Sequence, residues 1–577
     1  MSSQIYHLIF FAVVHSLLFS TIVTQPMEYT YYKSLELDAN YILGWRYNAT
    51  HIEFQATVNT AGYVGFGLTR SGQMYNADIV MGWIAGGSIY FADYHTNASS
   101  RAPMMDQSQD WFIKSGNEVN GTTVLEFYRK LDTCDRNDMA ITKDRIVLIW
   151  SYSPNDPDLA TSEVPYHGEY YRGVVVIFLL ESDRVPMSYP PPESYNIELR
   201  NANFEIPANG SSLQCIVFNL TETITSKSHL IKFAPIITPG NEPYVYRMML
   251  YRCEITDPTV VYKVSRHCQY ESPVSVKSCK SVVASWSMGG ETFHFPDNIG
   301  IPMQGPTDPS TYVLEIHYSR FSEADQAQPD SSGLSLTYTH TNLANDAGMV
   351  EIGKVISPGW RQFLPNGVSD FRTASLCSPR CMSWGFGTPE GQIDSVQILG
   401  VMFKGNDVVK EIRLRHYREN MELPVISMDR KFSNFYQGPR LLASPVTLQS
   451  NDSLAVECVF DTTNRTFVTR GGWSRIEEVC RATVVYYPAK KFDLCLSWSS
   501  FDKLISRENK LVEEVGAVKY LSNITQWEPA YTKKYQKALN LSKERSICSS
   551  IQRSPAYAID RFKPKIIRPY KEQKPCA

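Results

Sequence analysis

Alternation of apolar and polar positions with a period of two runs through much of this chain. Ile52-Glu53-Phe54-Gln55-Ala56-Thr57-Val58 is the plainest case, and period two is the signature of a half-buried strand. Tyr41-Ile42-Leu43-Gly44-Trp45-Arg46-Tyr47 precedes it, with Asn48-Ala49-Thr50 as the turn between them. Gly62-Tyr63-Val64-Gly65-Phe66-Gly67-Leu68 follows, and its glycine spacing predicts a bulge or a close backbone approach. Asn76–Trp83 and Leu131–Asp135 extend the pattern, so residues 34–154 read as short strands joined by turns. The consecutive prolines in Val185-Pro186-Met187-Ser188-Tyr189-Pro190-Pro191-Pro192-Glu193 cannot sit inside a sheet, and predict an extended linker over 185–195. Strand patterning resumes near Tyr195. Helical periodicity stays weak, which predicts an all-β chain of packed sandwiches. Only residues 501–550, richer in Lys, Glu and Ala, suggest one or two helices within a C-terminal extension spanning 501–577.

Length and composition narrow the class. At roughly 150 residues per domain, 577 residues predict three or four domains. A formal net charge of −3 argues against nucleic acid and anionic membrane surfaces as partners. The 34 Tyr suit sheet-rich domains, because aromatic side chains pack well on pleated surfaces. Residues 1–24 read as a signal peptide: Ile9 to Phe19 is an apolar run broken only by His15 and Ser16, and it falls short of the roughly 20 residues a membrane span needs. No later segment is long and apolar enough to span a bilayer. Twelve Cys, an even number, suit a disulfide framework. Asn48, Asn97, Asn120, Asn209, Asn219, Asn451, Asn464, Asn523 and Asn540 each open an N-glycosylation sequon. Together these features predict a secreted protein or one resident in the secretory lumen.

Common catalytic templates are absent. The chain has no G-x-S-x-G elbow, no Walker-type loop and no H-E-x-x-H. Met288-Gly289-Gly290 is too short to cradle a phosphate. Glu477 and Glu478 are neighbours in a strand-like segment, where they face opposite sides and form no acid/base dyad. Cys377-Ser378-Pro379-Arg380-Cys381 has the look of a metal knuckle, but in a secreted chain disulfides are the better reading.

Longer motifs carry a family resemblance. Tyr244-Val245-Tyr246-Arg247-Met248-Met249-Leu250-Tyr251-Arg252-Cys253-Glu254 resembles the V-H-H-M-L-L-Y-x-C segment of the ascorbate-dependent type II copper monooxygenases, closest to the dopamine beta-hydroxylase branch. Trp286–Gly290, Leu314-Glu315-Ile316-His317-Tyr318, Asp330–Leu334, Ile412–Tyr417, Gly471-Gly472-Trp473, Glu478-Val479-Cys480 and Tyr486-Tyr487-Pro488 match the family as a set. The resemblance implies a DOMON β-sandwich at 34–154, then two jelly-roll-like β-sandwich copper domains at 196–345 and 346–500. Some DOMON domains bind haem or sugar. Haem would need an axial pair such as Met/His, but Met74, Met81, His95 and His167 read better as core methionines and surface histidines.

The resemblance also implies where two coppers would be held. One takes an adjacent His pair and a third His; the other takes an H-x-H pair and a Met. Imidazole suits Cu(II) and thioether favours Cu(I), so a cycling site needs such donors. Carried over residue by residue, the adjacent pair is Tyr246 and Arg247, the third His is His317, the H-x-H pair is Lys404 and Asn406, and the Met is Val479. Five of the six ligands are therefore replaced. No shift of register recovers a pair: setting aside His7 and His15 in the leader, nine of the eleven His remain, and no two are closer than 23 positions. An arginine cannot shed its proton at physiological pH. A lysine must lose one from a reference value near 10.4, at a cost of about 4.6 kcal/mol at pH 7. Met248 and Met249 read as packing residues, and His294 and His416 as structural or surface groups.

The resemblance further implies six disulfides: Cys215–Cys268, Cys253–Cys279, Cys377–Cys495, Cys381–Cys548, Cys458–Cys480 and Cys134–Cys576. A scaffold that keeps its bridges and loses its ligands predicts a secreted pseudoenzyme. It would act by binding a small ligand or an extracellular protein, in a retained gap between the copper domains or on the DOMON surface. The alternative is an active copper- and ascorbate-dependent monooxygenase hydroxylating a phenethylamine-like substrate. Homo-oligomers occur in such families.

Overall fold

The structure is a computed structural model. It describes residues 31–560 except 70–73, 98, 159–163, 169, 181–192, 209, 254–265, 269–278, 291, 304–310, 321–328, 357–360, 388–395, 420, 436, 450, 500–526 and 551–552. The expected signal peptide, most of the Pro-rich linker, Asn209, Asn523 and Cys576 lie outside the described residues.

Strands dominate, as the period-two patterning predicts, and they stack into three two-layer sandwiches. In the first, a five-stranded sheet runs in the order Tyr31–Asp38, Tyr41–Tyr47, His51–Val58, Thr122–Lys130, Phe112–Val119. It faces a six-stranded sheet ordered Arg172–Ile177, Ile146–Tyr152, Val64–Thr69, Asp78–Ala85, Ser88–His95, Met104–Met105. Phe54, Phe66, Trp111 and Phe127 pack ring against ring between the layers. Arg129 is fully buried here. Its charge is matched by Asp78, with which it forms an ion pair, and by Asp138 at 3.3 Å, since an unpaired buried guanidinium is costly. The glycines do not make the expected bulge: Val64–Thr69 pairs in unbroken register on both sides. The close approach is at Gly62, where a Cβ would lie 2.4 Å from the Ser153 carbonyl oxygen.

The second sandwich sets a sheet containing Ser194–Arg200, Gly333–Thr339, Ser228–Ile236 and Ile299–Met303 against one ordered Arg266–His267, Gly210–Asn219, Thr311–Arg320, Val245–Cys253, Cys279–Ser287. The third has a seven-stranded sheet: Arg440–Leu448, Val396–Lys404, Arg481–Tyr487, Gly348–Lys354, Leu494–Ser499, Glu544–Ser550, Arg553–Asp560. Its other layer is built on Phe371–Cys377, Asp452–Phe460 and Val409–Arg418. Among its described residues the region past residue 501, expected as a partly helical extension, supplies one helix, Pro529–Leu541, and the last two strands of that sheet. Pattern reading missed a second short helix, Pro379–Phe386, which is capped by the Ser378 hydroxyl. The Cys377–Cys381 segment lies across its start, and both thiols are in disulfides.

Five bridges close in the pairs the resemblance implied: Cys215–Cys268, Cys253–Cys279, Cys377–Cys495, Cys381–Cys548 and Cys458–Cys480. Cys134 is also disulfide-bonded; its expected partner Cys576 lies outside the described residues. The second and third sandwiches share one core. Met349, Leu399, Met402, Leu441 and Val485 of the third pack among Met248, Met249, Trp286 and Phe295 of the second. The first sandwich rests on the third through Asp144–Arg430 at 3.0 Å and through Arg440, which lies 4.0 Å from the Phe178 ring centre.

Met402, 3% exposed, sits where those two sandwiches meet. Met402→Ala should cost about 2–4 kcal/mol, the price of lost burial plus a residual cavity, read as a lowered midpoint in urea denaturation. A midpoint within error of the parent would mean the two domains do not depend on this shared core.

Candidate functional site

The strand Val245–Cys253 carries the centre of the candidate site. Its pairing with Thr311–Arg320 slips by one residue between Val245 and Arg247, so Tyr246 is the extra residue of a β-bulge. A bulge lets two successive side chains turn to one side, where a regular strand would send them to opposite faces. Tyr246 and Arg247 accordingly both reach the third sandwich. The Tyr246 hydroxyl donates to Asn406 Oδ1. Arg247 Nη2 donates to Gly405 O at 3.5 Å and to Gln437 Oε1 at 3.4 Å, and Nε donates to Ser287 Oγ at 3.4 Å. Arg247 is 0% exposed, and its Nη1 has no hydrogen-bond partner.

His317 lies directly across the ladder from Arg247. Two positions earlier on the same strand face, Glu315 reaches its Nε2 at 2.6 Å. Burial pushes the His317 pKa down, and the Arg247 and Lys404 charges add to this against the Glu315 interaction, so the ring is neutral at pH 7. The indole of Trp473 meets His317 edge-on at 5.5 Å. The same indole lies 4.9 Å from the Arg247 guanidinium and 5.1 Å from that of Arg481, within cation–π range of both.

Lys404 ends the strand Val396–Lys404 and is 1% exposed. Its ammonium bonds Glu351 Oε1 at 2.6 Å and lies 3.5 Å from Met249 Sδ. Arg481 takes the other carboxylate oxygen of Glu351 at 3.3 Å. Burial pushes Lys404 down to about 8, against the pull of Glu351. Glu351 is also buried, yet Lys404 and Arg481 hold it below the ordinary carboxylate range. Two residues on, the Asn406 amide donates to the carbonyls of Gly472, Ser474 and Glu477, its Ser474 contact being 2.9 Å. Glu478 accepts three backbone N–H groups, from Asn406, Val408 and Val479, while burial pushes its carboxyl up to about 7. Val479 is fully buried. Met248 and Met249 are core residues. His416 is buried against Asp452 at 2.8 Å, and His294 is half-buried on a short strand.

Four of the six positions from the motif comparison, Tyr246, Arg247, Lys404 and Asn406, thus converge where the second and third sandwiches meet, and His317 lies beside them. The expected gap is bridged there by Tyr246–Asn406 and by Arg247 with Gly405 and Gln437. Motif reading missed Glu351, Trp473, Arg481 and Gln437, which come from four separate stretches of the third sandwich. The Gly-Gly-Trp motif was visible in sequence, but nothing in it told where the indole would point.

Family models for the copper type II ascorbate-dependent monooxygenase N-terminal and C-terminal domains match residues 197–325 and 345–508, and a DOMON model matches 37–153. The chain is 31% identical to human DBH-like monooxygenase protein 1 over 80% of its own length and 74% of that protein's. The chain belongs to the copper type II ascorbate-dependent monooxygenase family. Other members include mouse DBH-like monooxygenase protein 2, 29% identical over 92% of this chain and 83% of that one, and rat dopamine beta-hydroxylase, 28% identical over 82% and 75%.

Copper and ascorbate are the cofactors the family's name implies, and these residues do not fit a copper. His317 is the one imidazole among the six positions, with its Nε2 on Glu315, so it can offer a single donor. Arg247 places a fixed positive charge with an unmatched N–H directly opposite that ring. Val479 offers no donor, and Lys404 is tied as a cation to Glu351.

Glu351 is the carboxylate shared by Lys404 and Arg481. Glu351→Ala should cost about 3–5 kcal/mol by leaving them buried and unmatched. Adding Lys404→Met should return part of that loss, and a double variant no more stable than the single would refute the pairing. The pH dependence has a definite sign. The folded value of Lys404, about 8, lies below its unfolded value of about 10.4, so between them the unfolded chain holds the extra proton. Stability attributable to Lys404 should therefore rise with pH across that window, and Lys404→Met should flatten the rise in urea midpoints measured from pH 7.5 to 10.

Proposed function

We propose that this chain is a member of the copper monooxygenase family in which a structural lock has replaced the metal chemistry, and that it works by binding rather than by turnover. The observation that carries this reading is Arg247: a wholly buried guanidinium stands at an inherited ligand position, opposite His317 and stacked on Trp473. A permanent cation there repels a metal ion, and the Tyr246–Asn406 bond occupies two further ligand positions with each other. The five bridges suit an oxidising compartment, and with the signal-peptide pattern they support secretion or residence in the secretory lumen. Among the described residues no helix is long and apolar enough to cross a membrane. The second reading, an ascorbate-dependent hydroxylase, is favoured by the names of the relatives.

Loading with copper under ascorbate followed by dialysis separates the two. Elemental analysis should find well under one copper per chain, and oxygen uptake with ascorbate and phenethylamine should match a buffer blank, unchanged by His317→Ala. Two retained coppers per chain, or uptake abolished by His317→Ala, would establish the hydroxylase instead.

A further inference from the structure

Arg247 is wholly buried, yet among the described residues no carboxylate stands within ion-pair reach of it. Other buried guanidinium groups are matched: Arg129 by Asp78 and Asp138, Arg440 by Asp429, Arg481 by Glu351. The hydrogen bonds of Arg247 all go to neutral oxygens, Ser287 Oγ, Gly405 O and Gln437 Oε1. They measure 3.4, 3.5 and 3.4 Å, longer than the roughly 2.7–3.2 Å of an ordinary N–H···O bond. Nη1 makes none. The rings of Tyr246 and Trp473, with centres 5.1 and 4.9 Å from the guanidinium carbon, flank it without supplying a formal negative charge.

The carboxylates of the same seam are already committed elsewhere. Glu351 is divided between Lys404 and Arg481. Glu315 lies on His317 Nε2 at 2.6 Å, and Asp407 pairs with Arg475 at 3.3 Å. Glu478 is turned to the backbone N–H groups of Asn406, Val408 and Val479. Lys404 and Arg481 bring further positive charge beside Arg247 rather than relieving it. A buried charge without a counter-charge is costly, and a buried N–H without an acceptor adds to the cost. A water molecule would accept the N–H and leave the charge unmatched. An anion answers both.

We propose that one small monovalent anion, of the size of chloride, binds at Arg247 Nη1 where the second and third sandwiches meet. A position that the family gives to a copper ligand thereby takes an ion of the opposite sign. Side chains from both sandwiches enclose the guanidinium, which suits an ion of few atoms. A doubly charged anion would overshoot the single unmatched charge and cost more to strip of water. The proposal deepens the binding reading above and rests on it.

Urea midpoints of the full chain, measured with a metal chelator present and with chloride exchanged stepwise for gluconate at constant ionic strength, test this. The midpoint should rise saturably with chloride, because an ion that binds only the folded chain stabilises it by mass action. Bromide should replace chloride, and sulfate should not. Arg247→Met removes the charge and keeps an apolar chain, so its midpoint should ignore chloride. Gln437→Glu is a second variant that keeps the shape of the side chain and sets a carboxylate where Oε1 already accepts from Nη2. It gives up the Nε2 bond to Asn434 O, so the readout is the chloride dependence rather than the absolute midpoint. Its half-saturating chloride concentration should rise about tenfold or more, since the chain now supplies the counter-charge itself. Crystals soaked in bromide should show an anomalous peak in contact with Arg247 Nη1. A parent midpoint indifferent to chloride, a Gln437→Glu response equal to the parent's, or no bromide at Arg247 would overturn the proposal. Retained copper would overturn the binding reading and this site with it, whereas chloride indifference in a chain that retains no copper overturns this site alone.

Discussion

A guanidinium keeps its proton inside a protein, so burying Arg247 obliges everything around it to accommodate a permanent charge. Trp473 offers a ring face, Gly405 and Gln437 offer oxygens, and His317 is left neutral opposite it. Lys404 and Arg481 bring two more cations to the same seam, and Glu351 is fastened between them. Lys404, Glu351 and Arg481 pair within the third sandwich, so it is Arg247 that separation would strip of its partners, Gly405, Gln437 and Trp473. The apolar core that runs from one sandwich into the other is the larger contribution to their association.

The bulge at Tyr246 decides where two successive side chains point. A regular strand would send Tyr246 and Arg247 to opposite faces, and the local break in alternation turns both one way. It thereby aims a hydroxyl and a guanidinium across a domain boundary. The retained disulfides hold the same frame around it.

The lack of any adjacent or H-x-H histidine pair was legible from the chain alone, because it is a matter of histidine count and spacing. The sandwiches were legible from alternation. The lock was not: Glu351, Gln437 and Arg481 look like ordinary surface-prone residues until strands from distant parts of the chain bring them to Lys404 and Arg247. The glycine spacing of Gly62, Gly65 and Gly67 left a bulge and a close backbone approach both open, and the structure has the close approach, at Gly62, without the bulge. Cys377-Ser378-Pro379 carried a helix start that strand patterning obscured, with Ser378 as cap and Pro379 at the first turn.

The last two strands of the third sandwich have a bearing on biogenesis. Glu544–Ser550 and Arg553–Asp560 form one edge of its seven-stranded sheet, Cys381 is bridged to Cys548, and Lys354 is paired with Glu544. Strands near residue 350 must therefore wait for a segment synthesised some two hundred positions later. The strands of the first and second sandwiches are all synthesised before that, whereas the sheet of the third keeps an open edge until the segment carrying Cys548 has emerged.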